Sequence, residues 1–303
     1  MIRILLVGAI ILTGCQFPQA AREAVPATEA PTATLPNPTQ TVEILPPTPT
    51  ATVTPSPSPT PVPPTMTPSQ TPTPKWVYHE PGEVVAPILL YHHIAGEDAD
   101  NRYFVSISDF QAQMKWLFEA GYTAITISQL VDVLLEGGDL PEKPIVLTFD
   151  DGHFSVYEHA FPIMDAFGFP GVFYIVANRI HDVKDFVNVE QIKTMLDAGW
   201  EIGSHGYSHL DITQDHASAD YEIAQSKADL QAALGVPVNT FAYPFGEIDP
   251  FTATFVSNAA YRAGMGLGQS ITHTWGNLFY LHRIEIHGTD SLETFIARFN
   301  PEY

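Results

Sequence analysis

The stretch PIVLTFDDG, residues 144–152, decides the fold class. Its first six residues are apolar except for Thr148, and so short an apolar run is typical of a strand that is buried on both faces. Two carboxylates follow at once, and Gly152 allows the chain to turn away tightly. The triplet DDG alone is also a common surface turn. At the end of a buried strand, however, it places Asp150 and Asp151 where parallel α/β proteins build their sites.

Runs of the same kind recur along the chain and alternate with helical patterns. Strands are predicted at Pro87–Tyr91, Thr123–Ile127, Ile145–Phe149, Gly171–Val176, Glu201–Ser204, Thr240–Tyr243 and His282–Ile286. Helical spacing is present at Ser108–Ala120, Ser128–Leu135, Tyr157–Phe167, Val189–Ala198, Ala219–Leu234 and Pro250–Arg262. Alternation of strands and helices implies a parallel sheet, and seven such units imply a barrel. We therefore predict an α/β fold, a (β/α) barrel of about seven parallel strands.

The chain begins with a segment typical of an export signal. In MIRILLVGAIILTGC, residues 1–15, a basic residue precedes an apolar run that is too short to cross a bilayer of about 30 Å. The end of this segment, LTGC, resembles a bacterial lipobox. Cleavage there would make Cys15 the lipidated first residue, which anchors the protein to a membrane. An ordinary secretory signal with an unrelated cysteine is the alternative.

The next segment is predicted to be a disordered linker. Of the 27 prolines, 17 lie between residues 18 and 75, among Thr, Ser and Ala. Such a composition cannot bury enough apolar surface to fold, and proline favours extended polyproline II. We predict a signal peptide over 1–15, a Pro/Thr/Ser-rich stalk over 16–75 and a catalytic domain over 76–303. The domain would then lie outside the cytoplasm, at the cell surface or in the periplasm, held away from the membrane.

Charge and cysteine content exclude several classes of function. Residues 1–75 carry three basic and three acidic groups, so residues 76–303 hold 10 basic and 31 acidic groups, the whole net charge of −21. Repulsion from phosphates argues against a nucleic-acid or anionic-lipid partner. A single cysteine excludes an intramolecular disulfide and a cysteine-rich zinc site, so a metal ion would need His and carboxylate ligands. The sequence does not indicate an oligomeric state.

A second polar cluster follows another predicted strand. In HGYSH, residues 205–209, His205 and His209 can reach one ion if the segment curls into a helical turn. Gly206 stands where a zincin needs Glu, which excludes that motif, and a lone HxxxH also occurs on ordinary surfaces. With a carboxylate of the DDG turn, the two histidines supply one Asp and two His. Such a set leaves positions open for water and substrate, as in catalytic zinc sites.

The three spaced motifs of this chain resemble those of the polysaccharide deacetylase family, the NodB-homology carbohydrate esterases. TFDDG (148–152) matches the first motif, His205 and His209 match the second, and FAYPFG (241–246) looks like the third. The resemblance covers roughly residues 85–300 and implies a distorted form of the barrel. It also implies a divalent metal ion, in the first place Zn²⁺, bound by Asp151, His205 and His209.

The resemblance implies roles for further residues. Asp150 would accept a proton from water as general base, and the backbone N–H of Phe245 would stabilise the oxyanion. For the general acid there are two candidates. His92 follows Tyr91 as in the exported branch that acts on poly-N-acetylglucosamine, and His287 closes a partial match to a late-strand motif of the family. We favour His92, because the segments that follow it also look like that branch.

The chain departs from the family pattern at two positions. Gly206 stands where Ser or Thr is usual, and Ala242 stands where an arginine usually orients the catalytic Asp. Arg283 lies at a predicted strand and offers a replacement guanidinium, or else a structural salt bridge. Among the tryptophans, Trp275 in a Gly-containing loop is a candidate for stacking on a sugar ring, whereas Trp116 and Trp200 fit the core.

These features predict a metal-dependent hydrolase that removes N-acetyl groups from an extracellular or cell-wall polysaccharide containing N-acetylglucosamine. The same metal and base would also cleave an ester, so an O-acetyl esterase of the xylan type is an alternative. A surface lipoprotein that binds glycan without catalysis is another. The expected partners are an acetylated polysaccharide and, through Cys15, a membrane.

Overall fold

The computed structural model describes residues 74–96, 101–181 and 183–299. The predicted signal peptide with Cys15 and the stalk up to residue 73 lie outside the described residues. Among the helices of the described part, none is long and apolar enough to span a bilayer.

The described residues form fourteen strands and seven α-helices. The strands are β1 (Trp76–His79), β2 (Glu83–Val85), β3 (Ile88–Tyr91), β4 (His93–Ala95), β5 (Phe104–Ser106), β6 (Thr123–Ala124), β7 (Gly138–Pro141), β8 (Pro144–Phe149), β9 (Val172–Ile175), β10 (Glu201–Ser204), β11 (Thr240–Ala242), β12 (Ala263–Met265), β13 (Thr272–Thr274) and β14 (Ile284–Glu285). The helices are α1 (Ile107–Glu119), α2 (Ile127–Glu136), α3 (Phe161–Asp165), α4 (Val189–Asp197), α5 (Ser226–Leu234), α6 (Pro250–Asn258) and α7 (Leu292–Phe299).

Seven parallel strands form a curled central sheet in the order β12-β11-β10-β9-β8-β3-β14, and β6 pairs with the start of β8. The sheet is a half-barrel whose two ends meet at Leu281. The N–H of Leu281 donates to the carbonyl of Gly264 (2.9 Å), and the N–H of Gly266 donates to that of Leu281 (2.9 Å). The chain then continues into β14, which pairs with β3. The predicted distorted barrel of parallel strands is therefore confirmed.

The strand β8 shows why both faces of the sheet are apolar. Successive side chains of a strand point to opposite faces. Ile145, Leu147 and Phe149 accordingly belong to one core cluster, which the surrounding helices cover, and Val146 belongs to a second. The second cluster contains the apolar side of α2. All six residues of β8 are buried, so the strand is held firmly in the sheet. Asp150 and Asp151 follow directly at its C-terminal end.

Each predicted strand and helix is present, with local differences. The strand predicted at Thr123–Ile127 is shorter, because Thr126 caps α2 in a capping box with Gln129. The helix α1 begins at Ile107, one residue before the predicted start at Ser108, and Ser106 is its cap. The helices predicted at Tyr157–Phe167 and Ala219–Leu234 begin with π-helical turns, Val156–Ala160 and Asp220–Gln225.

Candidate functional site

The polar residues that follow the parallel strands line one pocket of about 300 Å³. Its lining includes side chains that follow four strands of the central sheet. These are His92 after β3, Asp150 and Asp151 after β8, His205 and His209 after β10, and Phe245 in the short 3₁₀ turn after β11. Arg283, just before β14, also lines it. Of the residues singled out from the sequence, His287 is not among those that line the pocket.

Asp151, His205 and His209 form a compact group of donor atoms. One donor atom from each lies within 4.8 Å of the others. Nε2 of His209 is 3.1 Å from Oδ1 of Asp151, and Nε2 of His205 is 3.8 Å from the same oxygen. One carboxylate and two imidazoles on a shared centre are the donor set of many catalytic zinc sites.

The protonation of His205 suits a metal ligand. Its Nδ1 lies 2.8 Å from the carbonyl oxygen of Ala242. Because a carbonyl can only accept a hydrogen bond, Nδ1 carries the proton, and Nε2 keeps a lone pair that is available to a metal ion. Burial lowers the pKa of His205, although the charges of Asp150 and Asp151 oppose this, so the imidazole is neutral at neutral pH. The residues present therefore fit a divalent ion of the zinc type.

Asp151 is held in its ionised form by neighbouring histidines. Burial works against the charge of Asp151, but hydrogen bonds from His153 and His209 outweigh it and lower the pKa of this carboxyl. Nε2 of His153 lies 3.3 Å from Oδ2, the carboxylate oxygen that does not face His209. A ligand carboxylate held in this way presents its other oxygen in a fixed direction.

The backbone is strained where the pocket is built. Among the described residues, five other than glycine have a positive φ, and three of them line the pocket: Asp151 (73°), His209 (67°) and Phe245 (61°). Side chains with a Cβ rarely adopt this region, and each such residue costs about 1–3 kcal/mol. Strain gathered at one place is typical of functional sites.

The loop that joins the two histidines differs from the helical turn expected from their spacing. Residues 205–209 form an irregular bend in which Gly206 has φ +81°. The N–H groups of Tyr207 and Ser208 donate to the carboxylate of Glu222 (2.9 Å each). His205 and His209 still converge, because the positive φ values redirect the chain.

Asp150 forms a buried ion pair with Arg283. Nη1 of Arg283 is 2.6 Å from Oδ1 of Asp150, and Nη2 is 2.8 Å from Oδ2. Burial disfavours the carboxylate, but the charge of Arg283 and its hydrogen bonds, with the further effect of His205, lower the pKa of Asp150. Oδ2 of Asp150 also lies 3.6 Å from Nε2 of His205, so the carboxylate adjoins the donor group.

The two histidines proposed as general acid have different surroundings. His92 is mostly buried beside the ring of Tyr103, and its Nδ1 has no hydrogen-bond partner among the described residues. Burial lowers the pKa of His92, while the charges of Asp150 and Asp151 oppose the shift. His287 has both ring nitrogens engaged, Nε2 with Glu285 (2.8 Å) and Nδ1 with Arg298 (3.1 Å).

Comparison with known proteins identifies the domain. Residues 137–264, from just before β7 to β12, match the model of the family described as Polysaccharide deacetylase. This segment is a polysaccharide deacetylase domain. The matched segment contains Asp150, Asp151, His205, His209 and Phe245, and it leaves His92 and Arg283 outside. The family resemblance read from the three motifs is confirmed.

Individual proteins are similar to a longer part of this chain than the family model matches. The Bacillus subtilis protein YxkH, named as a polysaccharide deacetylase, is 28% identical over 204 residues, 66% of this chain and 71% of that protein. A poly-β-1,6-N-acetyl-D-glucosamine N-deacetylase of Staphylococcus aureus is 23% identical over 225 residues, 70% of this chain and 77% of that protein. The crystal structure of a polysaccharide deacetylase from Bacillus cereus superimposes with a TM-score of 0.63 at 28% identity, over 71% of this chain and 69% of that chain. The chain is thus an enzyme of the polysaccharide deacetylase class.

The positions of the three tryptophans agree with the sequence-based expectation only in part. Trp200 is buried in the core, and Trp116 is half-buried and packs against the core residues Phe295 and Phe299. Trp275 is 67% exposed but does not line the pocket. Stacking of Trp275 on a sugar at the reaction centre therefore finds no support in its position.

Three residues in or beside the site were missed by sequence reasoning: His153, Glu222 and Glu285. His153 directly follows the DDG turn, and this adjacency was an available signal. Glu285 lines the pocket and lies two residues before His287, in the partial match to the late-strand motif from which only the histidine was considered. Glu222 lies in a helical pattern 13 residues beyond His209, where nothing in the spacing distinguishes it from a solvent-exposed residue.

Proposed function

We propose that this polysaccharide deacetylase hydrolyses N-acetyl groups of an extracellular or cell-wall polysaccharide that contains N-acetylglucosamine, and that it depends on a divalent metal ion. The observation that carries the proposal is the position of the Arg283-paired Asp150 carboxylate, 3.6 Å from the imidazole of His205 within the same pocket. A base directly beside a set of metal donors is the arrangement that amide hydrolysis needs. A module that only binds glycan has no use for such a base.

Asp151, His205 and His209 would hold the ion, and the donor set favours Zn²⁺. When bound, the ion supplies Lewis-acid chemistry: it polarises the acetyl carbonyl and lowers the pKa of a water molecule. His205 contributes a neutral imidazole whose Nδ1–H is fixed by the Ala242 carbonyl.

Asp150 would take the proton from the attacking water. A general base must be unprotonated before the reaction, and the pairing with Arg283 keeps the carboxylate ionised in spite of its burial. The bidentate contact also fixes the plane of the carboxylate. Arg283 would in this way serve as the orienting guanidinium, in a chain that has Ala242 where the family usually has arginine.

The backbone N–H of Phe245 would donate to the oxyanion of the tetrahedral intermediate. The positive φ of this residue is consistent with a peptide group turned toward a ligand, and its side chain, 59% exposed, lies against His209. Such a preorganised donor stabilises charge that develops only during the reaction.

His92 would donate the proton to the leaving amine. It lines the pocket, and its buried Nδ1 has no hydrogen-bond partner among the described residues, so no hydrogen bond at that atom fixes the ring. His287, by contrast, bonds to Glu285 and Arg298 through its two nitrogens. We therefore propose His92 as the acid and a structural role for His287.

The proposed substrate is poly-β-1,6-N-acetylglucosamine or a similar neutral acetylated glycan. The name of the S. aureus relative supports this choice, as does the charge of the domain, because the deacetylated amines of the product are cationic. We further propose that the domain acts outside the cytoplasm, anchored through lipidated Cys15 at the end of the stalk. An N-terminal peptide carrying a diacylglyceryl group on Cys15, detected by mass spectrometry, would test the anchor.

Acetate release tests the proposed function. The panel comprises poly-N-acetylglucosamine, chitin oligomers, peptidoglycan and acetylxylan, each with and without a chelator. We expect release from poly-N-acetylglucosamine that chelator abolishes and Zn²⁺ restores. Release from acetylxylan alone would identify an O-acetyl esterase, and release from none of the four would favour a glycan-binding protein.

A further inference from the structure

Glu222 is a buried carboxylate with an unusual set of partners. It lies on the π-helical turn Asp220–Gln225, and only 3% of its surface is exposed. Oε2 accepts the N–H groups of Tyr207 and Ser208, at 2.9 Å each, and Oε1 accepts the hydroxyl of Ser208 at 2.6 Å. Among the described residues it forms no ion pair. The charge of Glu222 is thus stabilised by donors of one loop.

That loop is the connection between the two proposed histidine ligands. Tyr207 and Ser208 lie between His205 and His209, so the carboxylate binds the middle of the connection. The carbonyl groups of Gly206 and Tyr207 accept hydrogen bonds from the N–H groups of residues 177 and 178 (3.0 Å each). The loop is therefore fixed through its carbonyls from one side and through its N–H groups by Glu222 from the other.

The conformation of the loop depends on this contact. Residues 201–204 form a strand, so even a helical turn that began at His205 would leave the N–H groups of residues 207 and 208 without an acceptor in the loop itself. A Cβ at position 206 would lie 3.1 Å from Oε2 of Glu222, so the carboxylate also lies close against the glycine. Without Glu222, the N–H groups of both residues would lose their acceptor.

We propose that Glu222 is a positioning residue for the metal site: it holds residues 206–208 in the bend that brings the imidazoles of His205 and His209 onto one centre. The inference rests on the proposed metal dependence. It adds a residue that touches neither substrate nor ion, and that acts through the backbone between the ligands.

The substitution Glu222→Ala tests the role through zinc affinity, measured on the full chain by competition with a chromophoric chelator. We expect affinity to fall about 10- to 100-fold, the usual effect of losing an outer-shell partner of a ligand. Glu222→Gln should keep parental affinity. Its amide oxygen can accept both N–H groups, and its NH₂ can donate to the Ser208 hydroxyl, which is able to accept.

Glu201→Ala is the matched control for loss of a buried carboxylate. Glu201 begins β10, the strand that leads to His205, and it accepts the N–H of Ser128 (2.8 Å) and the hydroxyl of Thr240 (3.1 Å). Its removal should lower the melting temperature without changing the zinc affinity of the folded protein. Ser208→Ala removes only one of the three bonds and should weaken zinc binding about 2- to 10-fold. It keeps the test valid if Glu222→Ala does not fold.

The outcomes separate this inference from the proposed function. If the parent binds zinc and Glu222→Ala or Ser208→Ala binds it equally well while folded, the positioning role is wrong and the deacetylase proposal stands. If Glu201→Ala lowers zinc affinity as much as Glu222→Ala, the effect is one of general stability and the inference also fails. A parent chain that binds no zinc contradicts the metal dependence itself.

Discussion

The guanidinium of Arg283 and the carboxylate of Asp150 form a bidentate ion pair between side chains that are only 1% and 4% exposed. Breaking such a pair leaves an uncompensated buried charge. With Arg283→Met, Asp150 loses the largest effect that opposes burial, and its pKa should rise. The acidic limb of the profile of kcat/KM against pH should move upward by about one to three pH units.

The sign of this shift follows from the protonation state that catalysis needs. A base of lowered pKa stays active down to low pH, so a raised pKa confines activity to higher pH. Arg262→Met is the control, since Arg262 pairs with the exposed Asp132 outside the pocket. Equal acidic limbs in parent and Arg283→Met would contradict the role given to Arg283.

His92→Ala should separate the general acid from the other groups. Amide hydrolysis needs a proton on the leaving amine, and loss of the donor should lower kcat about 10²- to 10⁴-fold. An aryl acetate, whose leaving group needs no proton, should be hydrolysed at nearly the parental rate. His287→Ala should keep both activities. Parallel loss of both activities in His92→Ala at full zinc content would show that His92 is not the acid.

Zinc binding should be lost when His205 is replaced, but not when a histidine outside the pocket is replaced. His205→Ala removes a donor of the proposed site and should leave the chain substoichiometric in zinc and inactive. His216→Ala is the control: Nε2 of His216 lies 2.7 Å from the Asp249 carboxylate, on the surface outside the pocket. Metal content by mass spectrometry and acetate release from the same samples provide the measurement. Full zinc occupancy in His205→Ala would refute the ligand assignment.

Gly206→Ser would restore the residue type that is usual in the family, yet we expect it to be harmful in this chain. Gly206 has φ +81°, and a Cβ there would meet Glu222 at 3.1 Å. We expect a loss of stability of about 1–3 kcal/mol, together with weaker zinc binding.

Gly121→Ser is the matched control, since it has the same φ of +81° with no atom within 4 Å of the added Cβ. Both substitutions should lower the melting temperature, but only Gly206→Ser should lower zinc affinity. Unchanged zinc affinity in Gly206→Ser would show that the bend is not required for the site.

The elements that carry the site were predictable because each shows a local pattern. Buried strands such as β8 are continuous apolar runs, and the polar residues behind them stand out. The strand β12, with only Ala263–Met265 and a central glycine, has no such run and was not predicted. Its place in the sheet depends on pairing with β11 and on the bridge to Leu281, contacts that a local pattern does not reveal.

Long-range contacts limited the prediction of the site in the same way. Arg283 and Asp150 are 133 residues apart, and only the pairing of both β8 and β14 with β3 brings them together. For this reason the sequence alone did not decide whether Arg283 orients the catalytic carboxylate or forms a structural salt bridge. The contact of Glu222 with the 206–208 loop was not predictable at all, since it depends on a π-helical turn within an ordinary helical pattern.

The most direct test of the account is Asp150→Asn, with zinc content, melting temperature and acetate release from poly-N-acetylglucosamine oligomers measured on one preparation. Asn keeps the shape of the side chain but cannot accept the proton from water. We predict parental zinc content, a folded protein and a rate about 10²- to 10⁴-fold lower. Deacetylation at the parental rate by a zinc-loaded Asp150→Asn enzyme would contradict the assignment of Asp150 as the general base.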